Sequence, residues 1–312
     1  MHEYNTYSRP LNETIDSTNA LMKIPINLVI YGDKYTIPLL RENRQRYGLT
    51  NMSVFIEVEH KNLWSFQWLD KVKSNRELFF PTHDSRTSSE SHLITCNKFD
   101  LVLKTIDSNP FSTSKFGWID AFLGKDILRI SENYRPNLLP YILSNISDKF
   151  HIQVLNVCNK NFKFKDELSI EENYKIKKEY YSQYRWVVCG GFFTCGRDCG
   201  KKVLTRLKEI FIKTTELGFG HGEEMFYLEV LDEYYDDIKK SYGDYNQILD
   251  NFISVNKNIH YIFYFIICRY REHGYTKELK ECCNWVLKEY FAHRVYEIPE
   301  IMDHIITMSQ IE

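Results

Sequence analysis

A single carboxylate, Asp120, stands inside the apolar segment FGWIDAF at residues 116–122. Burying a charge there is costly unless it is paired, hydrogen-bonded or bound to a cation. In open α/β sheets, ligands bind beyond the carboxyl ends of strands, and a carboxylate at such an end suits Mg²⁺ or Mn²⁺. An aspartate that merely caps backbone amides is the alternative interpretation, and such capping is common. Asp120 is therefore a candidate residue for binding a ligand or a divalent metal ion.

Two adjacent glycines, Gly190 and Gly191, interrupt the strand-like segment RWVVCGGFF at residues 185–193. Glycines inside a strand indicate that a ligand or another backbone approaches closely. A bulge or a tight helix–sheet contact explains them equally well. Both interpretations stay open at this point.

Two adjacent acids, Glu223 and Glu224, follow the glycines of the segment GHGEEM at residues 220–225. Carboxylates in the first turn of a helix interact favourably with its dipole, which gives a structural explanation. The functional interpretation makes one glutamate a base or an anchor for an acceptor, with His221 as a polar contact to a phosphate or sugar.

The elements that must position these residues follow from the hydrophobic pattern. Residues 24–33 predict a buried strand, 36–48 a helix and 52–59 a second strand, which together make one right-handed βαβ unit. Further along, helices are predicted at 93–106 and 201–220, and strands at 116–122, 148–157 and 185–193. Residues 258–275 and 276–295 predict a helical hairpin joined at Gly274.

Composition excludes several classes of protein. The 312 residues carry a formal net charge of −2 with both signs interleaved, so nucleic acid is not an expected partner. No run of 18 apolar residues predicts a membrane span, and the absence of a signal-peptide pattern makes the cytoplasm the expected location.

The cysteines give little reason to expect a zinc site. Cys189, Cys195 and Cys199 lack the short paired spacing that is typical of zinc ligands, so reduced, buried thiols are expected. Frequent Ile, Asn, Lys, Tyr and Phe suggest an AT-rich genome, that of a large DNA virus or of a parasite. A viral protein would be expected in the host cytoplasm.

Four segments occur in a recognisable order: NPFSTSKFGWIDAF, VVCGGFFTCGRD, ELGFGHGEEMFYLEV and SYGDYNQILDNF. Their order and rough spacing resemble the HtrL/YibB-type glycosyltransferase family over about residues 20–290. That family is similar in turn to GT-A transferases, which use nucleotide-diphospho-sugar donors. The resemblance implies an α/β fold, a GT-A-like open mixed sheet flanked by helices with an α-helical C-terminal hairpin. It divides the chain into an α/β domain at 1–245 and a helical extension at 246–312.

The resemblance also assigns roles. Asp120 falls on the acid of the family's W-I-D motif and would hold the donor or a divalent metal, Mn²⁺ or Mg²⁺. Glu223 and Glu224 fall on its acidic pair and would contact the acceptor hydroxyl. The donor would be a UDP-sugar and the acceptor a protein or glycan. The resemblance places Gly190, Gly191 and Phe192 along the sugar or acceptor pocket, and Asp33 and Arg86 near the nucleotide. Trp118 and His221 are the further candidate contacts to the donor, and the match of Tyr242–Asp244 carries no role.

Two observations favour other functions. Trp118 and Phe122 occupy the positions two residues from Asp120, so the D-x-D pair is absent and any metal needs other ligands. No strand-like segment precedes residue 24, where GT-A folds open with a nucleotide-binding strand. Both fit a catalytically inactive binding or scaffold protein that uses its C-terminal helices as a partner surface. A phosphohydrolase would need a second acid cluster; the acidic run at 232–237 is better explained as a solvated surface.

Overall fold

The computed structural model describes residues 11–78, 88–121, 123, 137–182, 185–220, 222–242, 248–253, 260–293 and 299–310. Within them the fold is mixed α/β and mostly helical. The strands are β1 (Leu28–Gly32), β2 (Ser53–Glu57), β3 (Lys115–Ile119), β4 (Phe150–Val154), β5 (Val188–Gly196) and β6 (Ile238–Tyr242). The longer helices of the α/β part are α1 (Leu11–Met22), α2 (Thr36–Arg46), α3 (Leu69–Leu78), α4 (Ser89–Ser108), α6 (Ile170–Tyr181) and α7 (Arg197–Glu216). Shorter ones are α5 (Leu138–Ser144), α8 (Tyr227–Glu233) and α9 (Ile248–Asn251), and the C-terminal helices are α10 (His260–Glu272), α11 (Thr276–His293) and α12 (Pro299–Ser309).

The βαβ unit predicted near the N-terminus is confirmed. β1 and β2 pair in parallel, with Leu28 opposite Ser53 and Gly32 opposite Glu57, and α2 is the crossover between them. Both strands are shorter than predicted. The helix α1, which precedes β1, is an element that the hydrophobic pattern did not predict.

The second sheet contains the three other predicted strands in the order β3-β5-β4-β6. β5 runs antiparallel to both of its neighbours, whereas β4 and β6 are parallel. β6 was not predicted, because its sequence IKKSY has only two apolar residues. In the β3–β5 register Ile119 lies opposite Phe192, so the end of β3 meets the glycines near the start of β5.

Helices cover this sheet on both faces. On one face Phe150 and Phe193, whose ring centroids are 4.9 Å apart, join a large core with apolar residues of α4 and α7. On the other face Phe192 packs with residues of α1, α2, α5 and α9 in a second core cluster. Burial of these two apolar faces holds β3 and β5 between helices.

The helical hairpin predicted near the C-terminus is confirmed, and the structure adds a third helix. α10 and α11 are joined through Gly274, whose φ of +69° suits a glycine, and α12 packs on both. Their apolar residues form a third cluster that also includes Val154 of β4 and Tyr242 of β6. The helices therefore share a core with one edge of the sheet.

The structure also bears on two expectations about the whole chain, the lack of a membrane span and the state of the cysteines. No helix in the described ranges is both long and apolar enough to cross a bilayer. All eight cysteines are unpaired thiols, and Cys189 and Cys195 are fully buried within β5.

Candidate functional site

Asp120 lies directly after the last residue of β3, which ends at Ile119, three residues before the end of the strand predicted at 116–122. Its backbone N–H donates to Gly191 O at 2.8 Å, which continues the β3–β5 pairing by one residue. The indole Nε1–H of Trp118 donates to Asp120 Oδ1 at 2.5 Å. The side chain of Asp120 keeps 36% of its surface exposed. The carboxylate is thus fixed through one oxygen while part of it reaches the molecular surface.

A lysine that the sequence did not indicate, Lys98 of α4, lies beneath this carboxylate. Its side chain is 2% exposed, and its ammonium donates to Gly190 O at 2.9 Å and to Glu223 Oε1 at 2.6 Å. Asp120 Oδ1 lies 3.6 Å from the same nitrogen. Lys98 therefore joins three segments that are far apart in the chain: the end of β3, the start of β5 and the turn at Glu223.

Glu223 and Glu224 open a 3₁₀ turn, Glu223–Phe226, that leads into α8. They are only 6% and 9% exposed. Whereas Glu223 accepts from Lys98, Glu224 Oε1 accepts the backbone N–H of Gly190 at 2.8 Å. Both acids thus hold the start of β5 from beneath, and their prediction as acceptor contacts stays a prediction.

The loop before this turn is anchored by α3. The amide of Asn75 donates to Thr215 O at 2.7 Å and to Phe219 O at 3.1 Å, at the end of α7. Gly220 passes so close to α3 that a Cβ there would lie 3.2 Å from Val72 Cγ1. These contacts fix the direction in which the chain enters the turn of Glu223.

The two glycines of β5 leave room for the charged side chains. A Cβ on Gly190 would lie 2.8 Å from Glu223 Oε1 and 3.1 Å from Glu224 Cγ. A Cβ on Gly191 would lie 3.1 Å from Leu123 Cδ1 and 3.4 Å from Asp120 Oδ2. Close approach of side chains to the backbone therefore explains Gly190, and Gly191 lies beside Leu123 and Oδ2 of Asp120.

We define the Lys98 cluster as Lys98, Asp120, Glu223 and Glu224. The pKa values of its three carboxyl groups are shifted in different directions. Burial lowers the pKa of Lys98, but Asp120 and Glu223 outweigh it and hold the pKa well above its ordinary value. Burial raises the pKa of Glu223, yet Lys98 overcomes this and the net shift is downward. Burial and the neighbouring Glu223 raise the pKa of Glu224 to about 8, so that acid is protonated at neutral pH. Desolvation also raises the pKa of Asp120, against the attraction of Lys98.

The other predicted site residues lie elsewhere or outside the described residues. Asp33 follows β1 and accepts the backbone N–H groups of Tyr35 and Thr36 at 3.0 and 2.9 Å, which orders the start of α2. Arg86 and His221 fall outside the described residues.

The donor set around Asp120 does not fit a divalent metal. Asp120 Oδ1 and Glu223 Oε1 already face the Lys98 ammonium, and Glu224 Oε1 already accepts the backbone N–H of Gly190. Within the described ranges, no group of three or more His, Cys, Asp or Glu side chains could hold a metal ion.

Two open clefts lie away from the cluster. One, of about 690 Å³, is lined by residues of the acidic run and by the α10–α11 connection. Its three lysines are paired with aspartates: Lys160 with Asp232 at 3.7 Å, Lys202 with Asp237 at 2.5 Å and Lys277 with Asp236 at 3.5 Å. The other, of about 590 Å³, lies between α4 and the chain after β2. Neither is lined by a residue of the Lys98 cluster, so charge and burial, rather than cleft volume, identify the candidate site.

Comparison with known proteins adds no assignment. The chain matches no protein-family model, no curated protein and no solved structure. The HtrL/YibB resemblance, the GT-A fold and sugar transfer therefore remain predictions.

The position of Lys98 in the apolar pattern of α4 could have indicated that this lysine is buried. It lies three and four residues before Leu101 and Val102, both buried, so helical periodicity puts the lysine on the apolar face of α4. A lysine in such a position is rarely fully buried unless it is paired. The sequence could thus have indicated that carboxylates elsewhere in the chain meet Lys98.

Proposed function

We propose that this protein is a glycosyltransferase that moves a sugar from a nucleoside-diphosphate donor, a UDP-sugar, to a hydroxyl group of a protein or glycan. The observation that carries the proposal is the position of Asp120. It is a partly exposed carboxylate at a strand end, oriented by Trp118 and Lys98 and bordered by the bare backbone of Gly191. Such a carboxylate suits hydrogen bonding to sugar hydroxyls, and ligands of α/β sheets bind at strand ends.

The meeting of three segments supports the same proposal. The W-I-D acid, the double glycine and the acidic pair lie up to about a hundred residues apart in the chain, yet Lys98 contacts all three. These are the segments that carry the resemblance to the glycosyltransferase family. The mixed α/β architecture is compatible with a GT-A-like sheet, which we propose as the finer description of the fold.

In the proposed transfer, Asp120 acts on the acceptor, and Glu223 and Glu224 have positioning roles. In the transfer, the acceptor oxygen bonds to the anomeric carbon, and the bond from that carbon to the diphosphate oxygen breaks with its electron pair leaving on the diphosphate. The acceptor proton passes to a carboxylate, and Asp120 is the accessible one in the cluster. Glu223 and Glu224 act through Lys98 and Gly190, and they position Asp120 and β5.

Asp120→Asn tests the proposal, because it keeps the size of the side chain and removes its charge. The assay measures sugar release from a panel of UDP-sugars, with and without glycan acceptors. We expect at least a hundredfold loss of kcat/KM in the variant with a fold that circular dichroism finds intact. Glu171→Gln, on the exposed face of α6, is the matched control and should keep full activity. Equal activity of Asp120→Asn and the unmodified protein would rule out the assigned role.

A non-catalytic binding protein is the second candidate, and one observation favours it. Glu223 and Glu224 are buried and bonded inside the protein, and Asp33 bonds to the start of α2, so these three acids have structural partners. Calorimetric titration with UDP-sugars separates the candidates. Binding without turnover for any acceptor supports the binding protein, and turnover that needs Asp120 supports the transferase.

A further inference from the structure

The Lys98 ammonium lies among the oxygen atoms that would surround a metal ion if this cluster were a cation site. It has oxygens of Gly190 and Glu223 at 2.9 and 2.6 Å and Asp120 Oδ1 at 3.6 Å. Hard divalent cations take the same ligands, carboxylate and carbonyl oxygens. A lysine ammonium supplies one positive charge and three N–H donors, which is enough to neutralise part of this cluster without an ion.

A second buried lysine shows what is particular to Lys98. Lys177 of α6 is equally buried, with 1% of its side chain exposed, and it forms an ion pair with Glu229 of α8. Aromatic rings of Phe164 and Tyr180 lie on its other sides. Lys177 therefore meets one carboxylate in an apolar setting, whereas Lys98 meets a carbonyl and two carboxylates, with a third carboxyl group at Gly190.

We propose that Lys98 is the resident cation of this site, and that the protein handles its ligand at Asp120 without a divalent metal. The proposal predicts that removing the ammonium converts the cluster into a metal site. In Lys98→Ala, Asp120, Glu223 and Glu224 would share a space without a positive charge, and a divalent ion is the simplest replacement. The consequence for UDP-sugar binding rests on the proposed function, whereas the conversion of the cluster does not.

The first experiment measures thermal unfolding of the unmodified protein, Lys98→Ala and Lys177→Ala in EDTA and in Mn²⁺. We expect both variants to unfold at lower temperature than the unmodified protein in EDTA. Mn²⁺ at about a hundred times its Kd should raise the Tm of Lys98→Ala by about 5 °C. It should leave Lys177→Ala and the unmodified protein unchanged. A purely structural role for Lys98 would destabilise the variant without any response to Mn²⁺, and that result would overturn the proposal.

The second experiment uses the unmodified protein, so it decides the case if Lys98→Ala does not fold. The five tryptophans are labelled with fluorine, and the Trp118 signal is assigned from its loss in Trp118→Phe. Since Trp118 contacts Asp120, Mn²⁺ bound in the cluster would broaden its signal. We expect an unbroadened Trp118 signal in the unmodified protein. Broadening at micromolar Mn²⁺ would show a native metal site and overturn the proposal.

UDP-sugar titrations separate this proposal from the proposed function. Equal Kd values in EDTA and in Mn²⁺ support both. Binding that needs Mn²⁺ overturns the metal-free site and leaves sugar-nucleotide recognition standing. Absence of binding in both conditions argues against the proposed function alone, because the Mn²⁺ responses of Lys98→Ala and of Trp118 still decide the role of Lys98.

Discussion

Lys98 Nζ and Glu223 Oε1 lie 2.6 Å apart, although 125 positions of sequence separate the two residues. Both side chains are buried, at 2% and 8% exposure. Breaking a buried ion pair by removing one partner leaves an uncompensated charge, which typically costs about 3–5 kcal/mol. This relationship links α4 to the turn that opens α8, and it is the basis of the first prediction.

Lys98→Met should lower the free energy of unfolding by about 3–5 kcal/mol in urea denaturation followed by circular dichroism. The double variant Lys98→Met with Glu223→Leu should recover part of that loss, because both partners become apolar. Lys175→Met removes an exposed ion pair with Glu171 and should leave the urea midpoint unchanged. A loss below about 1 kcal/mol for Lys98→Met would show that the buried pair does not stabilise the fold.

Gly190→Ala should destabilise the protein, because the new methyl group would lie 2.8 Å from Glu223 Oε1. Overpacking of this kind costs about 1–3 kcal/mol. Gly191→Ala meets the flexible end of Leu123 and lies 3.4 Å from Asp120 Oδ2, so a smaller loss of stability is expected. If the proposed function holds, Gly191→Ala should lower kcat/KM about tenfold or more. Unfolding curves and transfer assays on both variants measure the two effects, and the opposite order of stabilities would contradict the geometry.

Arg44→Met should destabilise the connection between α1 and β1. Arg44 is fully buried and its guanidinium donates to the backbone oxygens of Met22, Ile24 and Ile26 at 3.0, 2.7 and 2.8 Å. Each buried carbonyl left without a donor costs about 1–3 kcal/mol, so a loss of about 3–5 kcal/mol is expected in urea denaturation. The neighbouring Arg46, which is 61% exposed, is the control, and Arg46→Met should keep the midpoint. Equal midpoints for the two variants would show that the Arg44 contacts contribute little.

His151 of β4 should make stability fall in mild acid. Burial, followed by the charge of Lys239, lowers its pKa from 6.5 to about 3. As the pH falls below about 6.5, His151 therefore takes up a proton in the unfolded chain but stays neutral in the native protein. The free energy of unfolding decreases for this reason between about pH 6.5 and about pH 3. At pH 5 the loss amounts to about 2 kcal/mol.

The matched variant for this prediction is His151→Phe, which keeps an aromatic ring against Phe252 and cannot titrate. The difference in unfolding free energy between the unmodified protein and the variant should shift by about 2 kcal/mol between pH 7 and pH 5, in favour of the variant at the lower pH. Urea denaturation at both pH values measures it. A difference that stays constant with pH would mean that His151 keeps an ordinary pKa in the folded state.

Local patterns predicted a large part of the architecture. The parallel βαβ unit, the strand that ends at Asp120, the long helix after β5 and the hairpin at Gly274 all follow from periodicity and from glycine, which act within a few residues. β6 escaped prediction because its position beside β4, rather than its own composition, makes it a strand. Propensity is weak where neighbouring strands supply the stabilising contacts.

For the candidate site, the sequence by itself determined which residue types are available: a lone aspartate after a strand, two glycines and an acidic pair. Only the tertiary structure decided that these groups meet, and that Lys98 lies among them. The reason is physical. The free-energy cost of removing a charge from water is offset only by direct contact with an opposite charge or a hydrogen-bond partner. Such a partner can lie at any distance along the chain. Glu223 and Glu224 likewise differ in pKa although they are adjacent in sequence: contact with Lys98 lowers the pKa of Glu223, whereas burial and the neighbouring Glu223 raise the pKa of Glu224 to about 8.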